Sequence, residues 1–302
     1  MEAPKVKKTW KQVDGVLLLD KPVGLSSNDA LQKARRLFSA AKGGHTGTLD
    51  PLASGLLPLC FGEATKFSAD LLDADKTYEA ELKLGVTTDS GDAEGQVIAT
   101  ATVDVAEAAI LAVLPRFTGP IEQVPPMHSA LKRDGRPLYE LARQGIEVER
   151  AARAVTIHAL EVLDFAGDVL RIRVRCSKGT YIRVLAADIG QALGCGAHLT
   201  ALRRTVVADL DLMHAVTLAE IEALDEVDRM KRLAPVDALL QSLPVLTLEG
   251  EAAARFRHGN PVSLPEGLSG KIRIYEAGRL IGVGEPGREG RLWPKRLVQL
   301  AN

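Results

Sequence analysis

Residues 43–62 read GGHTGTLDPLASGLLPLCFG, a loop of small residues that runs into an apolar strand. Gly43, Gly44 and Gly47 before Asp50, and Pro51 after it, make the first half turn-rich. Gly55-Leu-Leu-Pro-Leu-Cys-Phe-Gly62 reads as a short buried strand, although Pro58 cannot donate to a central ladder. His45 and Asp50 are the groups here that ionise near neutral pH. A buried strand is a stiff footing for a loop that aims a carboxylate, so Asp50 is the candidate chemical group. An Asp before Pro is also an ordinary turn former, and the rest of the chain has to decide between the two.

On the N-terminal side, Val16–Asp20 is an apolar strand stopped by Lys21-Pro22-Val23-Gly24. Ser26 to Asp29 supply capping chemistry for a helix whose Leu31, Ala34 and Phe38 share one face. On the C-terminal side, Tyr78, Ala80, Leu82, Leu84 and Val86 alternate with polar residues as a half-buried strand. Residues 104–117 fit an amphipathic helix around Ala108, Leu111 and Leu114. Residues 119–153 are broken by prolines and glycines, and a connection of that length is functional or disordered. Leu170, Ile172, Val174 and Cys176 alternate with arginines, and Ile182, Leu185, Ile189 and Leu193 then fall at helical spacing. That places Tyr181 and Arg183 at a strand-to-helix junction. Thr217-Leu-Ala-Glu220 is a capping box. Beyond Pro244 the short glycine-separated runs read as a small β domain, so the class is α+β with a β appendage.

With 302 residues, 46% of them hydrophobic and 25% charged, the chain can build one large domain and a small one. No run approaches the roughly 18 apolar residues of a membrane span. The basic start, Lys5 to Lys8, leads into no apolar segment, so a cytoplasmic protein is expected. Cys60, Cys176 and Cys195 are odd in number and far apart, as reduced core thiols would be. The chain has no Cys-x-x-Cys and no GxxxxGK[ST], so neither a zinc site nor a nucleotide cofactor is indicated. Net charge is −1, yet Arg171, Arg173 and Arg175 alternate, Arg203 and Arg204 adjoin, and Lys132, Arg133, Arg136 and Arg143 cluster. Such clusters suit phosphate contacts, or else the arginines merely face solvent.

Six stretches occur in order: GVLLLDKPVGLSSN (15–28), GGHTGTLDPLASGLLPLCFGEATK (43–66), KTYEAELKLGVTTDSGDAEG (76–95), PPMHSALKRDGRPLYELARQG (125–145), CSKGTYIRVLAADIG (176–190) and HLTALRRT (198–205). Together they resemble the bacterial TruB family of tRNA pseudouridine synthases, which isomerise uridine 55 of the T arm. Residues 1–12 read as a flexible tail, and the resemblance implies a catalytic domain over 13–245, with a mixed, largely antiparallel sheet and flanking helices. It also implies an RNA-clasping insertion at about 126–153 and a PUA-like RNA-binding domain over 246–302. Asp50 matches the catalytic aspartate, Tyr78 the tyrosine that stacks on the base and is implicated in proton removal, and Arg183 the arginine that pairs with the aspartate. His45, Tyr181, Leu202, Lys66, Lys132 and Arg133 are the implied substrate-binding residues. His128 stands where many members carry tyrosine. The implied partner is the T-arm stem-loop of tRNA, met by a monomer with no membrane attachment and no nucleotide.

The chemistry fits these roles. Pseudouridine formation breaks a glycosidic bond, turns the uracil and joins C5 to the sugar without redox change, so one carboxylate nucleophile suffices and no cofactor is needed. Two other readings stay open. One is a non-catalytic tRNA-binding or tRNA-folding protein. The other is a sugar hydrolase using Asp50 with Asp89 or Asp92 as a carboxylate pair.

Overall fold

The computed structural model describes residues 9–129, 131–133 and 135–299. Of the tail expected over 1–12, residues 1–8 lie outside the described residues, while Lys11 already bridges to Ala40. The apolar runs at Gly15–Lys21 and Ala53–Phe61 pair antiparallel, placing Leu17, Leu19, Leu57 and Leu59 on one face and Val16, Leu56 and Cys60 on the other. The sheet runs Gly15–Lys21, Ala53–Phe61, Ala197–Val207, Lys76–Leu84, Val169–Cys176, Arg153–Ala166 and Gly119–Gln123. Every neighbouring pair along this path is antiparallel except Ala53–Phe61 with Ala197–Val207.

That parallel join is short, covering only Ala53 to Gly55 opposite Leu202 to Arg204. At Gly55, with φ of 100°, a Cβ would lie 2.3 Å from the Arg204 carbonyl oxygen, so only glycine lets the strands approach there. Further along, Gly43–His45 takes over as partner from Leu59 to Phe61. Pro58 lies between the two pairings, where no ladder donor is required, and its carbonyl accepts from the Thr46 N–H.

Ser26 caps the helix Ser27–Leu37, accepting from the Asp29 N–H, and Ala30, Leu31 and Ala34 are buried against the first face. The helix Ile182–Ala192 covers the other half of the sheet with Leu185, Ala186 and Ile189, against Leu82, Ile172 and Val174. The helix expected over 104–117 is Glu107–Val113 followed by a 3-10 turn to Phe117. It buries Ile110 and Leu114, leaving Leu111 exposed, because its apolar stripe starts at Ile110. The irregular stretch expected over 119–153 opens with the edge strand Gly119–Gln123, and inside it lie a two-residue-per-strand hairpin and the helix Leu138–Ala142. The capping box at Thr217 and Glu220 forms as expected.

On the open face of the sheet the arginine ladder meets carboxylates. Arg173 pairs with Glu79 at 2.8 Å and Glu161 at 3.7 Å, and Arg175 lies 3.6 Å from Asp75. Two of the three arginines are thus paired with carboxylates, Arg173 across the strands, so the stripe is less basic than its spacing suggested.

The C-terminal residues form a second sheet, Val245–Thr247, Ile272–Glu276, Arg279–Pro286, Arg291–Leu297 and Val262–Ser263, packed on the helix Gly250–Arg257 through Ala253 and Phe256. Leu280 and Val283 join the core of Val16, Leu56, Cys60 and Phe67. Each such aliphatic contributes about 1.5–3 kcal/mol on burial. Deleting residues 246–302 is therefore expected to destabilise the catalytic domain by roughly 3 kcal/mol or more. An unchanged denaturant midpoint for the truncated chain would contradict this.

Candidate active site

The loop that carries Asp50 is held from three sides. Ser27 on the first helix donates to the Leu49 carbonyl at 3.0 Å and accepts from its N–H at 2.7 Å. The Gly24 N–H donates to the Pro51 carbonyl, and the Ala53 N–H closes a turn on the Asp50 carbonyl. Arg204, only 1% exposed, donates from Nε to the Leu56 carbonyl at 2.8 Å and from Nη2 to the Gly47 carbonyl at 3.3 Å. The Asp50 carboxylate, 44% exposed, is left facing outward.

Its partner comes from the helix after the Ser177–Thr180 turn. Arg183 Nη2 is 3.0 Å from Asp50 Oδ2, and Nη1 is 3.2 Å from Asp92 Oδ2. The guanidinium is buried, and it donates a further bond of 2.8 Å to the His128 carbonyl. Asp92 is itself fixed: its Oδ1 accepts from the Ser90 hydroxyl at 2.5 Å and from the Glu94 N–H at 3.1 Å. One arginine thus aims the exposed carboxylate while being held by a buried one. The Gln123 amide fixes the helix start, donating to the Tyr181 carbonyl and accepting from its N–H.

Two cavities meet at Asp50. The smaller, about 240 Å³, is walled by Asp50, Tyr78, Tyr181, Arg183, Leu202 and Arg204. The larger, about 740 Å³, opens beside it past His45, Asp92, His128, Tyr139 and Arg143. Burial pushes the Tyr78 phenol pKa up; the Arg204 guanidinium beside it pulls the other way, and Cys176 and Asp50 push upward. His45 is pulled below the ordinary histidine value by burial and then by Arg204, which favours a neutral imidazole. Lys21 and Lys76 are both lowered to about 8, chiefly by burial. Their ammonium groups donate to backbone carbonyls of Pro22 and Leu25, and of Leu71, Leu72 and Ala74.

Asp50, Tyr78, Arg183, Tyr181 and Leu202 are therefore brought to one cavity, and His45 to its neighbour. Lys66 is placed elsewhere: it pairs with Glu63 at 2.6 Å and donates to the Leu297 carbonyl, joining the two domains. Lys132 and Arg133 lie on the small hairpin, and exposed Arg133 donates to the Glu149 carbonyl. Arg203 pairs with Asp20 at 2.7 Å and Arg204 is buried, so that pair is not the exposed phosphate surface it resembled. Sequence reasoning missed the anchoring of Arg183 by Asp92, the bracket by Gln123, and the buried cations Lys21, Lys76 and Arg204. Asp92 was visible only as an acid in a turn. Asp89, the other acid of the hydrolase reading, accepts from the Gln96 N–H and closes that turn.

An aspartate aimed by a buried arginine over a tyrosine-walled cavity, on this sheet, defines the class. The fold is that of pseudouridine synthases. It is similar to a chain in a structure of an H/ACA RNP bound to a substrate RNA containing 2′-deoxyuridine, with a TM-score of 0.73 at 25% identity, covering 95% of this chain and 85% of that one. A chain in a Cbf5-Nop10-Gar1 complex matches with a TM-score of 0.72 at 27% identity, over 94% of this chain and 84% of that one. Residues 35–182 match the model of the TruB family pseudouridylate synthase N-terminal domain, residues 183–241 that of the tRNA pseudouridylate synthase B C-terminal domain, and residues 244–298 that of pseudouridine synthase II TruB, C-terminal. The tRNA pseudouridine synthase B of Dechloromonas aromatica (strain RCB) is 78% identical over 98% of this chain and 99% of that protein. That of Aromatoleum aromaticum (strain DSM 19018 / LMG 30748 / EbN1) is 62% identical over 95% and 93%. The chain belongs to the TruB family of pseudouridine synthases and is an isomerase.

Proposed function

We propose that this chain converts uridine 55 in the T arm of tRNA to pseudouridine, with Asp50 as nucleophile. The observation that carries the reading is the Asp50 carboxylate, exposed at the meeting of two cavities and ion-paired to the buried Arg183. The larger cavity suits the approach of the RNA, and the smaller one a base flipped from its stack. Flipping costs a few kcal/mol. Stacking on an aromatic ring offsets about 1–3 kcal/mol of that, and Tyr78 offers such a face. Leu202 supplies an apolar wall, and Tyr181 stands beside Arg183.

In the reaction the N1–C1′ bond breaks, the uracil turns in place, C5 bonds to C1′, and the proton leaves C5 while N1 gains one. Asp50 holds the covalent intermediate, and Tyr78 is the acceptor for the C5 proton. A neutral His45 contacts the nucleotide as it leaves its stack, by hydrogen bonding rather than by charge. The tRNA relatives support the substrate class. Asp92 does not serve as the second acid of a hydrolase in this reading, since it is 3% exposed and occupied by Arg183.

The test is incubation with an unmodified tRNA transcript followed by mapping of the product. Pseudouridine at position 55 alone is expected, and free uracil or modification elsewhere would count against the proposal. The hairpin and helix of the 126–153 segment are proposed to grip RNA phosphates. Lys132→Ala with Arg133→Ala is expected to weaken tRNA binding and reduce the slope of log affinity against log salt by about 1–2. An unchanged slope would remove these side chains from the phosphate contacts.

A further inference from the structure

Arg204 presents an unusual combination. It is buried on the catalytic sheet, lines the smaller cavity, and stands directly across from Tyr78 in the pairing of Ala197–Val207 with Lys76–Leu84. Among the described residues no carboxylate pairs with it; the nearby acid Asp20 is taken by Arg203. Its hydrogen-bond partners are the Gly47 and Leu56 carbonyls, and its charge pulls the Tyr78 phenol down against the upward push of burial. A buried cation without a counter-ion is costly, and a residue needed only to satisfy two carbonyls could be neutral.

The two carbonyls are the shoulders of the Asp50 loop. Leu56 lies just beyond the point where the parallel pairing stops at Gly55, and Gly47 lies where the chain leaves the Gly43–His45 strand. The guanidinium supplies the donors that the split ladder lacks and ties both ends of the loop to the strand opposite Tyr78. We propose that Arg204 is a positioning residue for the isomerisation, clamping the Asp50 loop against Tyr78 and supplying the positive charge that lets this phenol act as the base for the C5 proton. The inference rests on the reading of Tyr78 as that base. In the step concerned Tyr78 has already lost its own proton: the C5–H bond breaks, its electron pair restores the ring C5=C6 double bond, and the proton passes to the phenolate oxygen, which becomes the neutral phenol.

The charges around that oxygen come from three directions. Asp50 from its loop and Cys176 from the strand Val169–Cys176 oppose ionisation, as burial does, whereas Arg204 favours it. The same cation contributes to the lowering of Lys21, Lys76 and His45, so its influence extends beyond Tyr78. Removing it leaves the phenol with only opposing influences.

The experiment compares wild type, Arg204→Lys and Arg204→Met, each also with Tyr78→Phe. Thermal melts, tRNA Kd and single-turnover rates are measured from about pH 6 to pH 10. For Arg204→Met we expect unchanged tRNA affinity, a rate lower by about 100-fold at neutral pH, and a rate profile whose rise moves to higher pH. Arg204→Lys restores the charge, and with it part of the rate and the position of the profile. In the Tyr78→Phe background Arg204→Met costs far less than in wild type. Equal losses in the Lys and Met variants with an unshifted profile would reduce Arg204 to a structural staple and overturn the proposal. Should Arg204→Met fail to fold, the profile of Arg204→Lys decides alone. A wild-type rate from Tyr78→Phe would instead overturn the reading of Tyr78 as base.

Discussion

Replacing Asp50 by asparagine is expected to lower the rate of pseudouridine formation on the order of 10⁴-fold or more, as removal of a covalent nucleophile does. The change is isosteric and falls on a side chain that is 44% exposed, so folding should be unaffected. Binding should persist as well. The loop is held by Ser27, Arg204 and the Gly24 to Pro51 hydrogen bond, none of which uses the Asp50 carboxylate. Single-turnover kinetics with a tRNA transcript, beside a direct binding measurement, check both halves. A rate within tenfold of wild type would take Asp50 out of the chemistry, whereas a parallel loss of binding would make it a binding group.

The second large effect concerns Arg183. Arg183→Met removes the group that aims Asp50 and strands Asp92, whose side chain is 4% exposed. Breaking a buried pair from one side costs about 3–5 kcal/mol, because the remaining charge stays desolvated. At about 2–4 °C per kcal/mol for a domain of this size, Tm falls by on the order of 10 °C, and turnover is lost with it. Adding Asp92→Asn to Arg183→Met removes the stranded charge and is expected to recover part of the stability but none of the rate. Thermal melts and turnover of the single and double variants separate the two roles. If the double variant is less stable than Arg183→Met by the full cost of Asp92→Asn alone, the buried pair is not coupled as the geometry requires.

Much of the catalytic architecture could be read from the chain because its elements have plain local patterns. The strands at Lys76–Leu84 and Val169–Cys176 keep period two, those at Gly15–Lys21 and Ala53–Phe61 are short apolar runs buried on both faces, and Ser26 and Thr217 mark helix starts as their side chains dictate. The two longest strands of the sheet, Arg153–Ala166 and the central Ala197–Val207, were missed. Each carries two bulges, between Ile157 and Ala159 and between Val162 and Asp164 in the first, and between Leu199 and Ala201 and between Arg204 and Val206 in the second. Each bulge shifts the phase of the apolar pattern, so the alternation is lost in the sequence although the ladder continues in space.

The site divides along the same line. Asp50, Arg183 and Tyr78 stood out because they fall in motifs. Asp92, Gln123 and Arg204 act only through residues far away in sequence, such as Asp92 on Arg183 and Gln123 on Tyr181. Charge counting also misled at the arginine ladder, because the pairing that places Glu79 opposite Arg173 is a property of the sheet. Lys66 read as a substrate contact on its motif alone, and its ion pair with Glu63 at the domain junction is a tertiary fact.

The experiment to make first is tritium release from a tRNA transcript labelled at C5 of its uridines, with wild-type protein and Asp50→Ala side by side. Release of one equivalent per tRNA by wild type, none by Asp50→Ala, and pseudouridine at position 55 in the recovered RNA is the predicted result. A wild type that binds the transcript and releases no tritium, or an Asp50→Ala variant that releases it at the wild-type rate, would contradict the account.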